Sequence, residues 1–252
     1  MSVSTARRLL AVALLCAAGV AAHAAEITVS AAASLTDAFK DIAQGYEAAH
    51  PGSKVLLNFA ASGALLQQMA KGAPVDVFAS ADQETMDAAV KQQLVAPNAR
   101  VNFVRNTLVL VVPADSTLRL ASLADLRQPA LTRLAVGNPA SVPAGRYTRD
   151  ALEAAKLWQP LAPKMIMTQN VRQALDYVAR GETGAGFVYG SDAAAFKGKV
   201  KVALGVPLAG AIRYPIAATA GARDAAEARR FVAWVQAPAA QAVLARYGFL
   251  KP

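Results

Sequence analysis

Cysteine and histidine are nearly absent from this chain. Of its 252 residues one is cysteine, Cys16, and two are histidine, His23 and His50. Ser-His pairs, Cys-His pairs and zinc sites are hard to assemble from that stock. His50 stands beside Pro51 and Gly52 and reads as a turn residue rather than a base. There is no G-x-S-x-G elbow and no G-x-x-x-x-G-K-[ST] loop. Gly184-x-Gly186-x-x-x-Gly190 is off the dinucleotide spacing and lies inside a strand-like run. Charged residues make up only 17% and aromatics 6%, yet 26 Lys+Arg stand against 17 Asp+Glu, a net +9. That excess is scattered, as at Arg119, Arg127, Arg133, Arg146 and Arg149, and its densest run, Lys197-Gly-Lys199-Val-Lys201, alternates like one solvated face. Nucleic-acid binding wants a concentrated basic face with interleaved aromatics. None is visible, so no nucleic-acid partner is expected.

With 55% hydrophobic residues and no low-complexity tract, the chain is long enough to bury a sizeable core, divided into two lobes. Only one long apolar run exists, at the N-terminus. Arg7 and Arg8 precede Leu9 to Val20, and Ala22-His23-Ala24 follows as a small-x-small cleavage site. The run is shorter than the roughly 18–20 residues of a membrane span, so residues 1–24 read as a cleaved signal peptide and the periplasm as the destination. Leu15 precedes Cys16 where a lipoprotein signal wants a small residue, so no lipid anchor is expected. Cleavage removes Cys16 together with Arg7 and Arg8, and lowers the charge from +9 to +7.

Beyond that segment, apolar β-type runs alternate with helical periods. Glu26–Ala32, Lys54–Ala60 and Val75–Ala81 read as strands, with helices through Leu35–Tyr46, Leu65–Met69 and Met86–Val90 between and after them. This order predicts a parallel sheet covered by helices. Further strands are expected at Thr107–Pro113, Arg133–Gly137, Gly184–Gly190, Val200–Leu204 and Tyr214–Thr219. Helices are expected over about Arg146–Lys156, from Asn170 through Val178, and over Ala225–Gln236 and Pro238–Tyr247. The reading is two α/β lobes, with the chain crossing near Val104–Thr107 and Ala211–Tyr214 and the C-terminal helices completing the first lobe. The boundaries are 25–105 with 213–252 for lobe 1, and 106–212 for lobe 2.

The informative residues occupy the strand-to-helix turns. Ser34 follows Ala31-Ala32-Ala33, and Ser62 stands in Ala60-Ala61-Ser62-Gly63. Ala144 and Gly145 follow Pro143, and Asn170-Val171 opens another helix. Each such terminus carries unpaired N–H groups and the positive end of a helix dipole, and small side chains let an anion approach them. Plain helix capping by Ser34 and Ser62 is the competing account. Asp76 and Asp82 could be paired carboxylates, but strand and helix ends are the ordinary place for such aspartates.

Taken in order, the segments resemble the periplasmic molybdate-binding proteins of molybdate ABC transporters, two-lobed type II solute-binding proteins. The resemblance is carried by Ile27-Thr-Val-Ser-Ala-Ala-Ala-Ser34-Leu-Thr-Asp, Phe59-Ala-Ala-Ser62-Gly and Gly72-Ala-Pro-Val-Asp-Val-Phe-Ala-Ser-Ala-Asp82. It continues through Leu134-Ala-Val-Gly-Asn-Pro, Val142-Pro-Ala-Gly145, Asn170-Val-Arg-Gln-Ala-Leu175, Val188-Tyr-Gly-Ser-Asp192 and Arg246-Tyr-Gly-Phe249. It implies an α/β fold of two lobes, each a mostly parallel sheet flanked by helices, closing over a ligand in the cleft between them.

It also implies a tetrahedral oxyanion, molybdate or tungstate, held by neutral donors. These would be the hydroxyls and backbone N–H groups of Ser34 and Ser62, the backbone N–H groups of Ala144 and Val171, and the phenol of Tyr189. Family members often carry a small polar residue after the second serine; here Gly63 stands there. Arg146 and Arg172 are expected at the rim, contributing little. The function implied is a non-enzymatic, monomeric receptor that has no cofactor or free metal ion and serves an inner-membrane ABC permease. The alternatives are a receptor for another oxyanion such as sulfate, or a secreted hydrolase using a Ser-Lys arrangement.

Overall fold

A computed structural model describes residues 25–252, so the signal-peptide reading of residues 1–24 lies outside the described part. The chain forms two five-stranded sheets, one in the order Ser53–Ala60, Ala25–Ala32, Val77–Ala79, Ile212–Ala218, Val101–Asn106 and the other in the order Met165–Thr168, Leu134–Gly137, Ala185–Tyr189, Leu108–Pro113, Val200–Gly205.

In the first sheet β1 (Ala25–Ala32) pairs in parallel with β2 (Ser53–Ala60) and with β3 (Val77–Ala79). Helices α1 (Thr36–Ala49), α2 (Ser62–Ala70) and α3 (Gln83–Lys91) follow these strands. The apolar face of α1, Phe39, Ile42, Ala43 and Tyr46, is buried. The helix ends at His50, where Pro51 cannot continue it and Gly52 turns the chain at φ 96°. His50 Nδ1 lies 3.0 Å from the Tyr46 carbonyl oxygen, as expected of a turn residue. The sheet is covered on both faces. In β3, Val77 and Ala79 join the main core, while Phe78 faces the opposite way onto Leu65, Leu66, Met69 and Met86 of α2 and α3.

From β4 (Val101–Asn106) the chain crosses at Thr107 into β5 (Leu108–Pro113) of the second sheet. There β6 (Leu134–Gly137), β7 (Met165–Thr168) and β8 (Ala185–Tyr189) run parallel, with α4 (Pro143–Ala154), the short α5 (Trp158–Leu161) and α6 (Val171–Ala179) between them. A short α7 (Gly190–Ala195) and β9 (Val200–Gly205) follow, and the chain returns through 206–211 into β10 (Ile212–Ala218). Helix α8 (Ala225–Gln236) then packs on the first sheet, and α9 (Pro238–Arg246) packs on α8 and α1.

In each sheet a single strand is reversed, and it is the one just after a crossing. These are β5, antiparallel to β8 and β9, and β10, antiparallel to β3 and β4. Proline in a central strand removes a ladder donor. Pro215 is tolerated in β10 because the register shifts between Tyr214 and Pro215, a bulge that redirects the strand beside Tyr214. Among the described residues no helix is long and apolar enough to cross a membrane.

Candidate functional site

Four chain turns meet between the two sheets. A 3₁₀ turn (Ala33–Leu35) after β1 and the N-terminus of α2 come from the first sheet; the N-termini of α4 and α6 come from the second. Together they form a small cavity lined by Ser34, Ser62, Ala144, Val171 and Tyr189, with small neighbours such as Ala33, Ala61 and Ala81. All five candidate residues are buried: Ser62 is 0% exposed, Ser34 3%, Ala144 1%, Val171 4% and Tyr189 1%. Among the described residues, no cluster of three or more His, Cys, Asp or Glu could hold a metal ion.

Neither serine caps its helix. The N-cap of α2 is Ala61 and that of the 3₁₀ turn is Ala32, and neither terminus has a side-chain cap. Ser62 Oγ instead accepts a hydrogen bond from the Ala81 backbone N–H at 3.0 Å, and Ser34 Oγ lies 3.0 Å from Tyr214 Oη. The N-cap of α4, Val142, also offers no side chain, with Pro143 filling the first helical position. Three of the four turns thus leave their first N–H groups without side-chain acceptors, which suits an anion better than a solvated helix end. Only α6 is capped, by Asn170 Oδ1 accepting from the Gln173 N–H.

Tyr189 adds the strongest signal. Its ring packs edge-on against Tyr214, at 5.6 Å between centroids, and its buried Oη has no hydrogen-bond partner among the described residues. Burying a hydroxyl unpaired costs about 1–3 kcal/mol, so the position calls for an acceptor in the cavity. Burial also pushes the phenols of Tyr189 and Tyr214 well above their ordinary range, so both stay protonated and able to donate.

Close backbone packing shapes the walls. A Cβ at Gly145 would fall 2.0 Å from the Gly137 carbonyl oxygen, so only glycine lets α4 start this close to β6. The two glycine-bearing turns also meet across the cleft, where the Gly63 N–H donates to the Ser141 carbonyl at 3.0 Å.

The arginines after Gly145 and Val171 do not line the cavity, but they are not solvated rim residues either. Arg146 is 7% exposed, and its Nε and Nη2 donate to Asp82 Oδ2 at 2.8 and 2.5 Å. Nη2 also donates to Thr85 Oγ1 at 2.6 Å. Asp82 caps α3 through the Thr85 N–H while holding this arginine of the other lobe. Arg172 donates to Asp37 of α1 at 2.7 Å and to Asp192 of α7 at 2.8 Å. Two ion pairs, Asp82–Arg146 and Asp37–Arg172, therefore tie the sheets together on either side of the cavity. Sequence reasoning missed them because each partner lies far away along the chain. Asp76, by contrast, is a strand-end residue accepting from the Thr28 and Arg223 N–H groups.

Asp192 titrates unusually. Full burial pushes its carboxyl up to about 6, against the pull of Arg172 and the Tyr189 N–H. A carboxyl raised on folding contributes stability below its ordinary range and loses it as pH rises through the folded value. Measured against Asp192→Asn, the wild-type chain should therefore lose about 3 kcal/mol of stability between about pH 4 and 6, then level off. Urea unfolding of both proteins across that window checks this; a difference that stays flat or rises would contradict it.

Two lobes joined by two crossings, with a buried donor-lined cavity between them, define a solute-binding protein. The chain belongs to the bacterial extracellular solute-binding proteins, whose family model matches residues 27–250. It is 40% identical over 235 residues to the molybdate-binding protein ModA of Escherichia coli, covering 89% of this chain and 88% of that one. Its fold matches the periplasmic molybdate-binding protein of Azotobacter vinelandii with a TM-score of 0.79 at 24% identity, over 90% of this chain and 99% of that one. The sulfate-binding protein SubI of Mycobacterium tuberculosis matches with the same TM-score at 19% identity, over 89% and 86%. At those two identities the likeness concerns the fold alone.

Proposed function

We propose that this chain is a periplasmic receptor that binds molybdate, and tungstate with it, and delivers the anion to an inner-membrane ABC permease. It acts as a monomer, performs no chemistry on its ligand, and reaches the periplasm through the signal peptide at residues 1–24. Ser34 and Ser62 donate from lobe 1 (25–105 and 213–252). Ala144, Val171 and Tyr189 donate from lobe 2 (106–212), so one anion draws the lobes together. The observation that carries the reading is the unpartnered, buried Tyr189 Oη at a cavity ringed by four turns, three of them without a side-chain cap. The name borne by the Escherichia coli relative supplies the choice of anion. Sulfate, another tetrahedral oxyanion suited to the same neutral donors, is the second reading.

Titration calorimetry with molybdate, tungstate, sulfate and phosphate separates the two. Molybdate and tungstate should bind almost alike, with sulfate competing only at large excess because a smaller anion cannot reach donors on both lobes. Displacement of molybdate by near-equal sulfate would make sulfate the ligand. A hydrogen bond to a charged group contributes about 1.5–3 kcal/mol, so Ser62→Ala and Tyr189→Phe should each weaken molybdate binding by roughly one to two orders of magnitude. Normal molybdate binding by both variants would remove the neutral-donor site.

A further inference from the structure

The Ser34 hydroxyl has a hydrogen-bond partner behind it as well as the cavity before it, and a third residue decides which way its proton points. Asn106 ends β4 at the crossing between lobes. Its Oδ1 accepts from the Thr107 N–H at 2.9 Å and the Ser191 N–H at 3.4 Å. A flipped amide would set its NH₂ against both of those donors, so the orientation is fixed. The two Nδ2 protons go to Ser191 Oγ at 2.8 Å and Tyr214 Oη at 3.3 Å. An amide NH₂ only donates, so Tyr214 Oη accepts. The Tyr214 ring is 0% exposed, and among the described residues the one acceptor within reach of its own proton is Ser34 Oγ, at 3.0 Å. Ser34 Oγ therefore receives, and its proton is left for the cavity. Ser62 is set in the same sense, since its Oγ accepts from the Ala81 N–H.

We infer that Asn106 and Tyr214 are positioning residues that keep the Ser34 proton free for the cavity. They thereby tune the cavity to oxyanions that carry no proton, against those that keep one. The inference rests on the oxyanion reading above. Molybdate offers only acceptors and so takes up the Ser34 proton, whereas hydrogen arsenate, a tetrahedral oxyanion that keeps one proton at pH 8, brings a hydroxyl that must find an acceptor where molybdate meets a donor. Binding a hydroxyl without an acceptor costs the desolvation of that group, as any unpaired polar group does.

Asn106→Asp reverses the relay. The introduced carboxylate accepts the Tyr214 proton, Tyr214 Oη accepts from Ser34, and Ser34 turns a lone pair to the cavity. Tyr214→Phe removes a single oxygen and leaves the Ser34 hydroxyl free to turn either way. The experiment is calorimetric competition of molybdate against hydrogen arsenate at pH 8, for wild type and both variants, with the thermal midpoint of each unliganded protein as the folding control. The added negative charge repels both anions, so the ratio of affinities isolates the proton. The molybdate-to-arsenate ratio should fall by roughly tenfold in Asn106→Asp, where the Ser34 proton is turned to Tyr214, and stay within about twofold of wild type in Tyr214→Phe, where that proton remains free. Equal weakening for both anions in Asn106→Asp, with the ratio within twofold of wild type, would overturn the inference and leave the two residues a structural role. A fall of the ratio in Tyr214→Phe by tenfold or more would also overturn the inference, because that variant leaves the Ser34 proton free. A wild-type chain that binds neither anion would instead overturn the oxyanion reading itself.

Discussion

Replacing Arg146 by methionine should weaken molybdate binding by roughly two to three orders of magnitude while leaving each lobe folded. The Asp82–Arg146 pair crosses from lobe 1 to lobe 2 with side chains only 5% and 8% exposed. Removing one member of a buried pair strands the other charge, at about 3–5 kcal/mol. Here the cost falls on the closed form, because both groups reach water once the lobes part. A ligand that needs the closed form then loses affinity by the factor by which closure is disfavoured. Methionine keeps the aliphatic bulk of the arginine, so lost packing is a minor part of the effect. The double variant Asp82→Asn with Arg146→Met removes the stranded charge and should recover at least tenfold of the loss. Calorimetric titration of the single and double variants, with the unliganded thermal midpoint alongside, measures this. Affinity within about threefold of wild type for Arg146→Met would show that the pair does not bear on closure.

The Arg172 pair is a weaker tie. Asp37 is 35% exposed and Arg172 18%, and Asp192 of the same lobe shares the guanidinium. Opening the lobes leaves Arg172 on Asp192, so no charge is stranded. The two arginines stand one residue past Gly145 and Val171, alike in sequence, yet the burial of their partners separates their roles.

That separation marks where sequence reading stops. β5 and β8 were legible because strands buried on both faces read as near-continuous apolar runs. The helices between them showed one-sided periodicity, as in Phe39, Ile42 and Tyr46 of α1. The strands that went unread lie at the sheet edges. In β4, Asn102, Arg105 and Asn106 dilute the pattern so that only a crossing was expected, and β7 is four residues long. Helix α4 starts at Pro143, three residues before the expected Arg146, because proline suits a first helical position. Ser34, Ser62, Ala144 and Val171 could be named because each sits in a local turn motif, whereas Tyr189, the last residue of β8, was named only through the family resemblance. What could not be named depends on separation along the chain. Asp82 and Arg146 are 64 residues apart, Asp37 and Arg172 135, and Asn106 and Tyr214 108. No local pattern links such pairs; a buried aspartate capping a helix looks the same whether or not an arginine from the other lobe arrives.

Gly63 joins the local and the distant kinds of information. By sequence it is a small residue after the second serine, where relatives often place a polar one. In the fold it is the point where the lobes touch through backbone alone, its N–H donating to the Ser141 carbonyl. A Cβ there would lie 2.7 Å from that oxygen and 2.9 Å from Ser141 Cα, and neither backbone atom can swing aside as a side-chain tip could. The clash exists only while the lobes are together, since nothing from lobe 1 is among the nearest atoms. Gly63→Val should therefore leave the unliganded thermal midpoint near the wild-type value while lowering molybdate affinity by roughly a hundredfold, as overpacking of about 1–3 kcal/mol falls on the closed form together with the lost hydrogen bond. Small-angle scattering supplies the second readout. The wild type should contract on adding molybdate, and Gly63→Val should contract only at ligand concentrations raised by the same factor. If the variant bound and contracted as the wild type does, the Gly63–Ser141 approach would not be part of the ligand-bound state. The lobes would then have to meet elsewhere.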